Sequence, residues 1–290
     1  MTSAADIPAS PAQSAQSAQS APSRRRPLAL SPSRVGDYRQ CPLLYRLRAI
    51  DRLEEPSTLA QVKGTLVHSV LEELHGLPRE ERTYPVAVKM LKPHWVAMTE
   101  KDDQLNELVP ESDYMDFLVA SRDLVKGYFM MENPAGFDAD SVEKFVDTTL
   151  PNGVPVRGFI DRVDVAASGA VRVVDYKTGK KPLPRFSAQA MFQMRFYALV
   201  WWRLFDHIPE QLRLMYLKVQ DDMVLSPTPS ELNYVEKDLG RIWSQIGNDA
   251  RSGNFAPKTS KLCGWCSFQT MCPAFNGTPP EYPGVPAEFA

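Results

Sequence analysis

The spacing of apolar residues along this chain predicts antiparallel strands enclosed by amphipathic helices. Residues 154–177 contain two runs in which apolar positions alternate with others, joined by the small-residue turn Ala167-Ser168-Gly169, and they predict a β-hairpin. A strand is predicted before the hairpin, at residues 142–150. After it we predict a strand at residues 212–219, a turn at Asp221 and Asp222, and a short return strand at residues 223–226.

Apolar residues that recur every three or four positions predict helices on either side of these strands. The predicted helices cover residues 59–75, 187–205 and 230–251, with two further pieces between about residues 85 and 131. Pro93 is expected to kink or break the first of those pieces. Another helix is expected to begin at Ser31 or Ser33, either of which can cap it, and to carry Cys41.

The two ends of the chain have a composition that does not favour packing. Residues 1–27 are rich in Ala, Ser, Gln and Pro, with too little apolar surface to offset the entropy of ordering, so we predict a disordered tail. Its run Arg24-Arg25-Arg26 is interpreted as solubilising rather than as a DNA contact. The Pro-rich tail, residues 277–290, is expected to be loose.

Composition narrows the class of protein. The chain has 290 residues, of which 43% are hydrophobic and 23% charged, values typical of a soluble globular protein. It contains no apolar run near the roughly 18 residues of a membrane span, and it lacks a basic-then-apolar signal peptide, so we expect a cytoplasmic location. The net charge of −2 means that any nucleic-acid binding must depend on local basic patches.

The hairpin carries charged residues that need an explanation. Asp161 lies in its first strand, and Asp175 and Lys177 lie two apart, hence on one face, in its second. Charges in apolar strands are costly unless they are paired or bind a metal. We therefore predict a divalent-metal site that hydrolyses phosphodiesters. The alternative is that Asp161 forms a surface ion pair with Arg162 or Arg172, while Asp175 and Lys177 end an edge strand.

The short sequence segments around these residues resemble those of a known family. GFIDRVD followed by VVDYKTGK resembles the RecB-family exonuclease domain of the PD-(D/E)XK nuclease superfamily. The resemblance implies an α/β fold with a restriction-endonuclease-like core, a central mixed sheet flanked by helices, and a helical insertion at about residues 85–133. It also implies that Asp161, Asp175 and Lys177 are catalytic, that both carboxylates bind Mg²⁺ or Mn²⁺, and that the Tyr176 carbonyl is a further ligand.

Two helical motifs extend the resemblance. KGTLVHSVLEELH resembles the G-x-x-x-H motif that adds a histidine to the metal site of RecB-family nucleases, which implies that His68 is a ligand and that Glu72 and His75 are not. QMRFYALVWW resembles a Q-x-x-x-Y motif that follows the catalytic lysine, which implies that Gln193 and Tyr197 shape the site and contact the nucleic acid.

Four cysteines indicate a second metal centre. In an intracellular protein, three cysteines so closely spaced near the C-terminus and one far upstream are better explained by zinc or an iron–sulfur cluster than by disulfides. The C-x2-C-x5-C-P spacing, with Cys41 in LSPSRVGDYRQCPLLYRL, resembles the [4Fe-4S] staple of AddB-type and CRISPR-associated nucleases, which favours the cluster. The resemblance thus implies a nuclease domain at residues 28–276, in which an iron–sulfur segment, residues 255–276, is joined to Cys41. The cluster ligands would be Cys41, Cys263, Cys266 and Cys272.

Three functions follow from these observations. The first is a metal-dependent DNA exonuclease, acting in DNA repair or recombination. The second is a nucleic-acid-binding subunit that acts with a helicase or processing partner and has little activity alone; the chain has no phosphate-binding loop of its own for a helicase motor. The third is a cluster-stapled structural protein with a vestigial site. The sequence leaves open DNA or RNA, single strand or duplex, polarity, endonuclease or exonuclease mode, and oligomeric state.

Overall fold

A computed structural model of the protein describes residues 27–183 and 187–290. The tail predicted to be disordered falls, apart from Pro27, outside the described residues, and so do Arg24-Arg25-Arg26.

The strands are β1 Ser141–Thr149, β2 Pro155–Val165, β3 Val171–Lys177, β4 Gln211–Tyr216 and β5 Asp221–Leu225. They form one mixed sheet in this order. Neighbouring strands are antiparallel except for β3 and β4, which are parallel. A parallel pair needs a long crossover, and the helix Ala188–Phe205 supplies it. The predicted hairpin and the predicted mixed sheet flanked by helices are confirmed.

The connection between β4 and β5 differs from the prediction. The turn lies at residues 217–220, and Asp221 and Asp222 belong to β5, where they pair with Tyr216 and Met215. Gln220 closes this turn with a left-handed backbone (φ 52°), which allows the chain to reverse one residue earlier than the paired aspartates suggest.

Helices cover both faces of the sheet. They are α1 Pro32–Gln40, α2 Pro42–Tyr45, α3 Leu59–Gly76, α4 Tyr84–Thr99, α5 Gln104–Leu108, α6 Glu111–Met131, α7 Ala188–Phe205 and α8 Pro229–Ser252. Pro93 lies inside α4 and does not end it. Cys41 lies between two helices rather than within one, because Pro42 has no N–H to continue α1 and instead begins α2.

An apolar core lies on each face of the sheet. On one face, α1, α7 and α8 bury residues such as Leu199 and Leu239 against Ile160 and Val173 of the sheet. On the other face, α3, α4 and α6 form a core that includes Tyr176. Within the described ranges, none of the helices combines the length and apolar character that crossing a bilayer requires.

The C-terminal tail, expected to be loose, is packed against the domain. Phe289 is buried and stacks on Trp243 of α8, and the Glu288 carboxylate accepts a hydrogen bond from the Leu28 N–H at 2.7 Å. The Tyr282 hydroxyl donates to the Ala250 carbonyl. The expectation was wrong because a few aromatic side chains offset the entropy of ordering a Pro-rich segment.

Candidate functional site

The site begins where β2 and β3 separate. Their paired residues end with Arg162 opposite Val174, so Asp161 and Asp175 are the first residues beyond the paired part of the hairpin. The Asp161 carboxylate fills the gap by accepting a hydrogen bond from the Tyr176 N–H at 2.7 Å. The Asp161 carboxylate therefore lies at the end of β3, the strand that carries Asp175.

His68 reaches this point from α3. The buried face of that helix, including Val67 and Leu71, packs in the core beneath the sheet and directs His68 towards the strand ends. Its Nε2 lies 3.0 Å from the Tyr176 carbonyl oxygen, and its Nδ1 lies 3.6 Å from Asp161 Oδ2. The histidine, one carboxylate and the backbone carbonyl of the predicted metal site therefore lie together.

Glu143 of β1 completes this group and is not among the predicted site residues. Its Oε1 lies 3.6 Å from His68 Nδ1, and donor atoms of His68, Glu143 and Asp161 lie within 4.8 Å of one another. Val142 pairs with Arg162 and Lys144 with Ile160, which places Glu143 opposite Asp161. Its φ of 43° is rare for a residue with a side chain, and such strain tends to occur at functional sites.

The signal for Glu143 was present but weak. A glutamate followed by a lysine near the start of a strand is typical of a solvent-exposed edge strand. Only the register between β1 and β2 shows that it faces Asp161, and register depends on pairing across the sheet.

Asp175 and Lys177 form an ion pair beside the three-residue group. Lys177 Nζ lies 2.7 Å from Asp175 Oδ2, and the Asp175 carboxylate is nearly fully buried. The Gln193 side chain of α7 contacts both residues: its Nε2 donates to Asp175 Oδ1 at 2.7 Å, and its oxygen accepts from Lys177 Nζ at 2.8 Å. Asp175 is outside the set of donors that lie within 4.8 Å of one another.

Tyr197, the second residue of the predicted helical motif, packs on the glycine of GFID. A Cβ placed on Gly158 would lie 2.8 Å from the Tyr197 ring. Only glycine allows α7 to approach β2 this closely. Gly158 of GFID and Tyr197 of the helical motif are therefore in direct contact.

The electrostatics of the group favour a bound cation. Burial raises the pKa of Asp161 to about 7, and the negative charge of Asp175 acts in the same direction. Burial alone would lower the pKa of His68, but the neighbouring carboxylates of Glu143, Asp161 and Asp175 outweigh it and raise the pKa to about 9. Carboxylate oxygens with one imidazole suit Mg²⁺ or Mn²⁺, so the residues present fit such an ion.

The alternative in which these charges only form surface ion pairs does not agree with the structure. Arg162 is fully buried and pairs with Glu132 and Asp164, and Arg172 also pairs with Asp164. Asp175 and Lys177 lie on β3, which is an interior strand between β2 and β4. Neither arginine neutralises Asp161.

The other acid–base residues of α3 lie away from the site. His75 is buried, and its Nε2 lies 2.8 Å from the Tyr128 hydroxyl and 3.3 Å from Arg162 Nη1. Burial, together with the charge of Arg162, lowers the pKa of His75 to about 4. Glu72 is exposed to solvent.

The four cysteines line one cavity, together with apolar residues such as Leu44, Leu47 and Phe268. The Lys258 N–H donates to Cys41 Sγ and the Ser260 N–H to Cys263 Sγ, both at 3.3 Å. All four are described residues, yet no three of their sulfur atoms lie within 4.8 Å of one another. The cysteines are Cys41, Cys263, Cys266 and Cys272.

Several known proteins are similar to this chain. It is 28% identical over 174 residues to the Gene 69 protein of Mycobacterium phage D29, covering 52% of this chain and 63% of that protein. It is 24% identical over 290 residues to the Gene 69 protein of Mycobacterium phage L5, covering 85% and 96%. It is 27% identical over 166 residues to an ATP-dependent helicase/deoxyribonuclease subunit of Streptococcus mutans, covering 53% of this chain but only 14% of that protein.

A solved structure has the same fold. The crystal structure of a candidate exonuclease from Eubacterium rectale superposes with a TM-score of 0.54, at 12% identity, over 82% of this chain and 86% of that one. The sequence profile of the PD-(D/E)XK nuclease superfamily matches residues 29–273. With the mixed sheet and its cluster of acidic residues, histidine and lysine, this match shows that the chain belongs to the PD-(D/E)XK nuclease superfamily.

Proposed function

We propose that this protein is a DNA exonuclease of RecB type that depends on Mg²⁺ or Mn²⁺ and acts in DNA repair or recombination. The observation that carries the proposal is the convergence of His68, Glu143 and Asp161 within 4.8 Å of one another. The Asp175–Lys177 ion pair lies beside them on the adjacent strand. The metal ligands would be His68, Asp161, Asp175 and the Tyr176 carbonyl, to which the geometry adds Glu143.

Each residue has a distinct task in phosphodiester hydrolysis. A bound divalent ion supplies Lewis acidity and neutralises phosphate charge. Asp161 and Asp175 hold the site negative, and the hydrogen bond from the Tyr176 N–H orients Asp161. Lys177 stabilises the negative charge that develops on the phosphate, which is the role expected of a cation fixed in a partly buried site. Gln193 holds the side chains of Lys177 and Asp175 in position, because it is hydrogen-bonded to both.

The cysteine cavity supports a [4Fe-4S] cluster as a second cofactor. A tetrahedral zinc ion with sulfur ligands at about 2.3 Å would hold the sulfurs roughly 3.8 Å apart. No three of the four sulfurs lie within 4.8 Å of one another, which suits a larger group, and N–H donors to sulfur together with an apolar wall are features of iron–sulfur sites. The cluster would join Cys41 to the segment at residues 255–276 and close a loop around the sheet.

A second candidate function is that of a nuclease subunit with a helicase partner. The similarity to a helicase/deoxyribonuclease subunit, restricted to 14% of that protein, favours it. In this case the chain would bind DNA and cut slowly until the partner delivers a strand.

A nuclease assay on anaerobically purified protein tests the proposal. End-labelled single-stranded and double-stranded DNA is incubated with and without Mg²⁺ or Mn²⁺, using the wild type, Lys177→Ala and the charge-matched control Lys218→Ala, a residue exposed in the β4–β5 turn. We expect metal-dependent shortening from one end that Lys177→Ala loses and the control retains. Tight binding without cleavage would support the helicase-partner function instead. Equal cleavage by all three proteins would show that Lys177 is not required for hydrolysis.

A further inference from the structure

An exposed pair of aromatic rings lies beside Asp161. Phe145 of β1 and Phe159 of β2 are cross-strand partners, and their ring centroids are 5.0 Å apart. The two residues are 45% and 51% exposed. Phe159 precedes Asp161 by two residues, so their backbones lie about 7 Å apart along the strand. A half-exposed aromatic pair is costly in water, and at this position it indicates a binding surface.

The same residues line a groove of about 560 Å³. Its walls include both phenylalanines, Asp161 and two cationic side chains, Arg34 of α1 and Arg157 of β2. The groove therefore offers apolar ring faces and positive charge next to the proposed hydrolytic site.

The two arginines are partly exposed and have few partners for their charge. Arg157 contacts Asp147 at 3.2 Å, and the buried atoms Arg34 Nη1 and Arg157 Nε have no hydrogen-bond partner in the described part of the chain. The pKa of Arg34 is lowered, chiefly by burial and further by the positive charges of Arg52 and Arg157, against the opposing effects of Tyr45 and Asp37. Because both side chains line the groove, a phosphate bound there can accept hydrogen bonds from their exposed N–H groups and offset the repulsion between the two charges.

We propose that this groove binds a single nucleic-acid strand, with a base stacked on the Phe145–Phe159 pair and its phosphates bound by Arg34 and Arg157. The inference deepens the proposed function and rests on it, because it names the substrate form that reaches Asp161. A duplex hides the faces of its bases, whereas an unpaired strand presents them to aromatic side chains. Arginines that contact only phosphates add affinity without sequence preference.

Binding measured without cleavage tests this inference. Fluorescence anisotropy in EDTA compares a short labelled oligodeoxythymidine, an abasic strand of equal length and a blunt duplex. The proteins are the wild type, Phe159→Ala, Phe145→Ala, Phe159→Trp and a control, Tyr234→Ala, which removes an exposed aromatic residue of α8 outside the groove lining. Thermal melting shows that each variant is folded.

The expected loss of affinity occurs only on the strand that carries bases. We expect either alanine variant to weaken oligodeoxythymidine binding about 10-fold, from the loss of one stacking contact. Abasic-strand binding should be unchanged, and Phe159→Trp and Tyr234→Ala should bind both strands like the wild type. A further variant, Arg157→Ala, should weaken the binding of both the oligodeoxythymidine and the abasic strand. It should also lower the slope of log affinity against log salt concentration by about 0.7.

Three results would overturn the inference: wild-type affinity in both alanine variants, an equal loss on the abasic strand, or a duplex bound as tightly as the single strand. Since no metal is present, base-dependent binding can persist in a protein that fails the nuclease assay. The failure of one proposal is therefore distinguishable from the failure of the other.

Discussion

Gln193 donates through Nε2 to Oδ1 of Asp175 at 2.7 Å, and this bond decides which way its amide faces. The amide oxygen then points to Lys177 Nζ at 2.8 Å. One neutral side chain thus satisfies an acceptor and a donor at once, which neither a glutamate nor a lysine can do.

Gln193→Glu should lower the nuclease rate by about 10- to 100-fold, because it replaces a charge-assisted hydrogen bond by repulsion of Asp175. The fold should persist. The measurement is the single-turnover rate of cleavage, with Gln245→Glu, an exposed glutamine of α8, as the charge-matched control. If Gln193→Glu cleaves at the same rate as the control, the Gln193 side chain is not needed for cleavage.

Glu143→Gly should make the metal-free protein more stable than Glu143→Gln does, and both variants should slow the enzyme. Both lose the carboxylate beside His68, but glycine adopts a φ of 43° at little cost, so we expect Glu143→Gly to be the more stable of the two by roughly 1 kcal/mol. Mn²⁺ affinity should fall. Thermal melting and calorimetric Mn²⁺ titration measure the two effects, and Glu143→Gln, which keeps the strain and loses the charge, separates them.

Stability should decrease in mild acid because of His75. Its pKa is lowered to about 4 from an ordinary 6.5, so the unfolded chain binds the proton more readily than the folded one. The contribution is complete above pH 6.5 and is lost as the pH falls towards 4, by about 1.4 kcal/mol per pH unit and roughly 3 kcal/mol in all.

The groups that set the pKa of His75 come from several elements. Arg162 and Arg82 lower it, and Glu132 and Asp138 raise it. Urea unfolding of wild type and His75→Gln between pH 4 and 7 measures the effect, with His94→Gln as the control. A parallel pH dependence in wild type and His75→Gln would show that His75 is not responsible.

Loss of Arg162 should destabilise the domain strongly. Its guanidinium is fully buried between Glu132 and Asp164, and Arg162→Met leaves both carboxylates without their main partner. We expect a loss of about 3–5 kcal/mol, measured by urea unfolding. Arg172→Met, which removes a more exposed partner of Asp164, should cost less than about 1 kcal/mol.

Cys263→Ala should yield insoluble or metal-free protein, because the proposed cluster would lose one of its four cysteine ligands and its link from Cys41 to the C-terminal segment would be weakened. Iron and acid-labile sulfide content, measured after anaerobic purification, report the cluster directly. Thr259→Ala serves as the neighbouring control. A soluble Cys263→Ala protein with full activity and full iron content would show that this cysteine is not a ligand.

The sequence by itself determined the local parts of this protein. Alternation of apolar residues around Ala167-Ser168-Gly169 is sufficient to place a hairpin, because strand period and turn chemistry are properties of adjacent residues. The same alternation put Asp175 and Lys177 on one face of a strand, where they form an ion pair.

The tertiary structure decided what depends on contacts between distant segments. Glu143 faces Asp161 only through the β1–β2 register, Gln193 joins Asp175 to Lys177 only because α7 crosses over β3, and Phe289 is buried only against α8. Each of these contacts joins segments whose pairing is selected by the packing of the whole core. For that reason the sequence predicted most of the residues that lie together at the candidate site, whereas their partners became visible only in the folded chain.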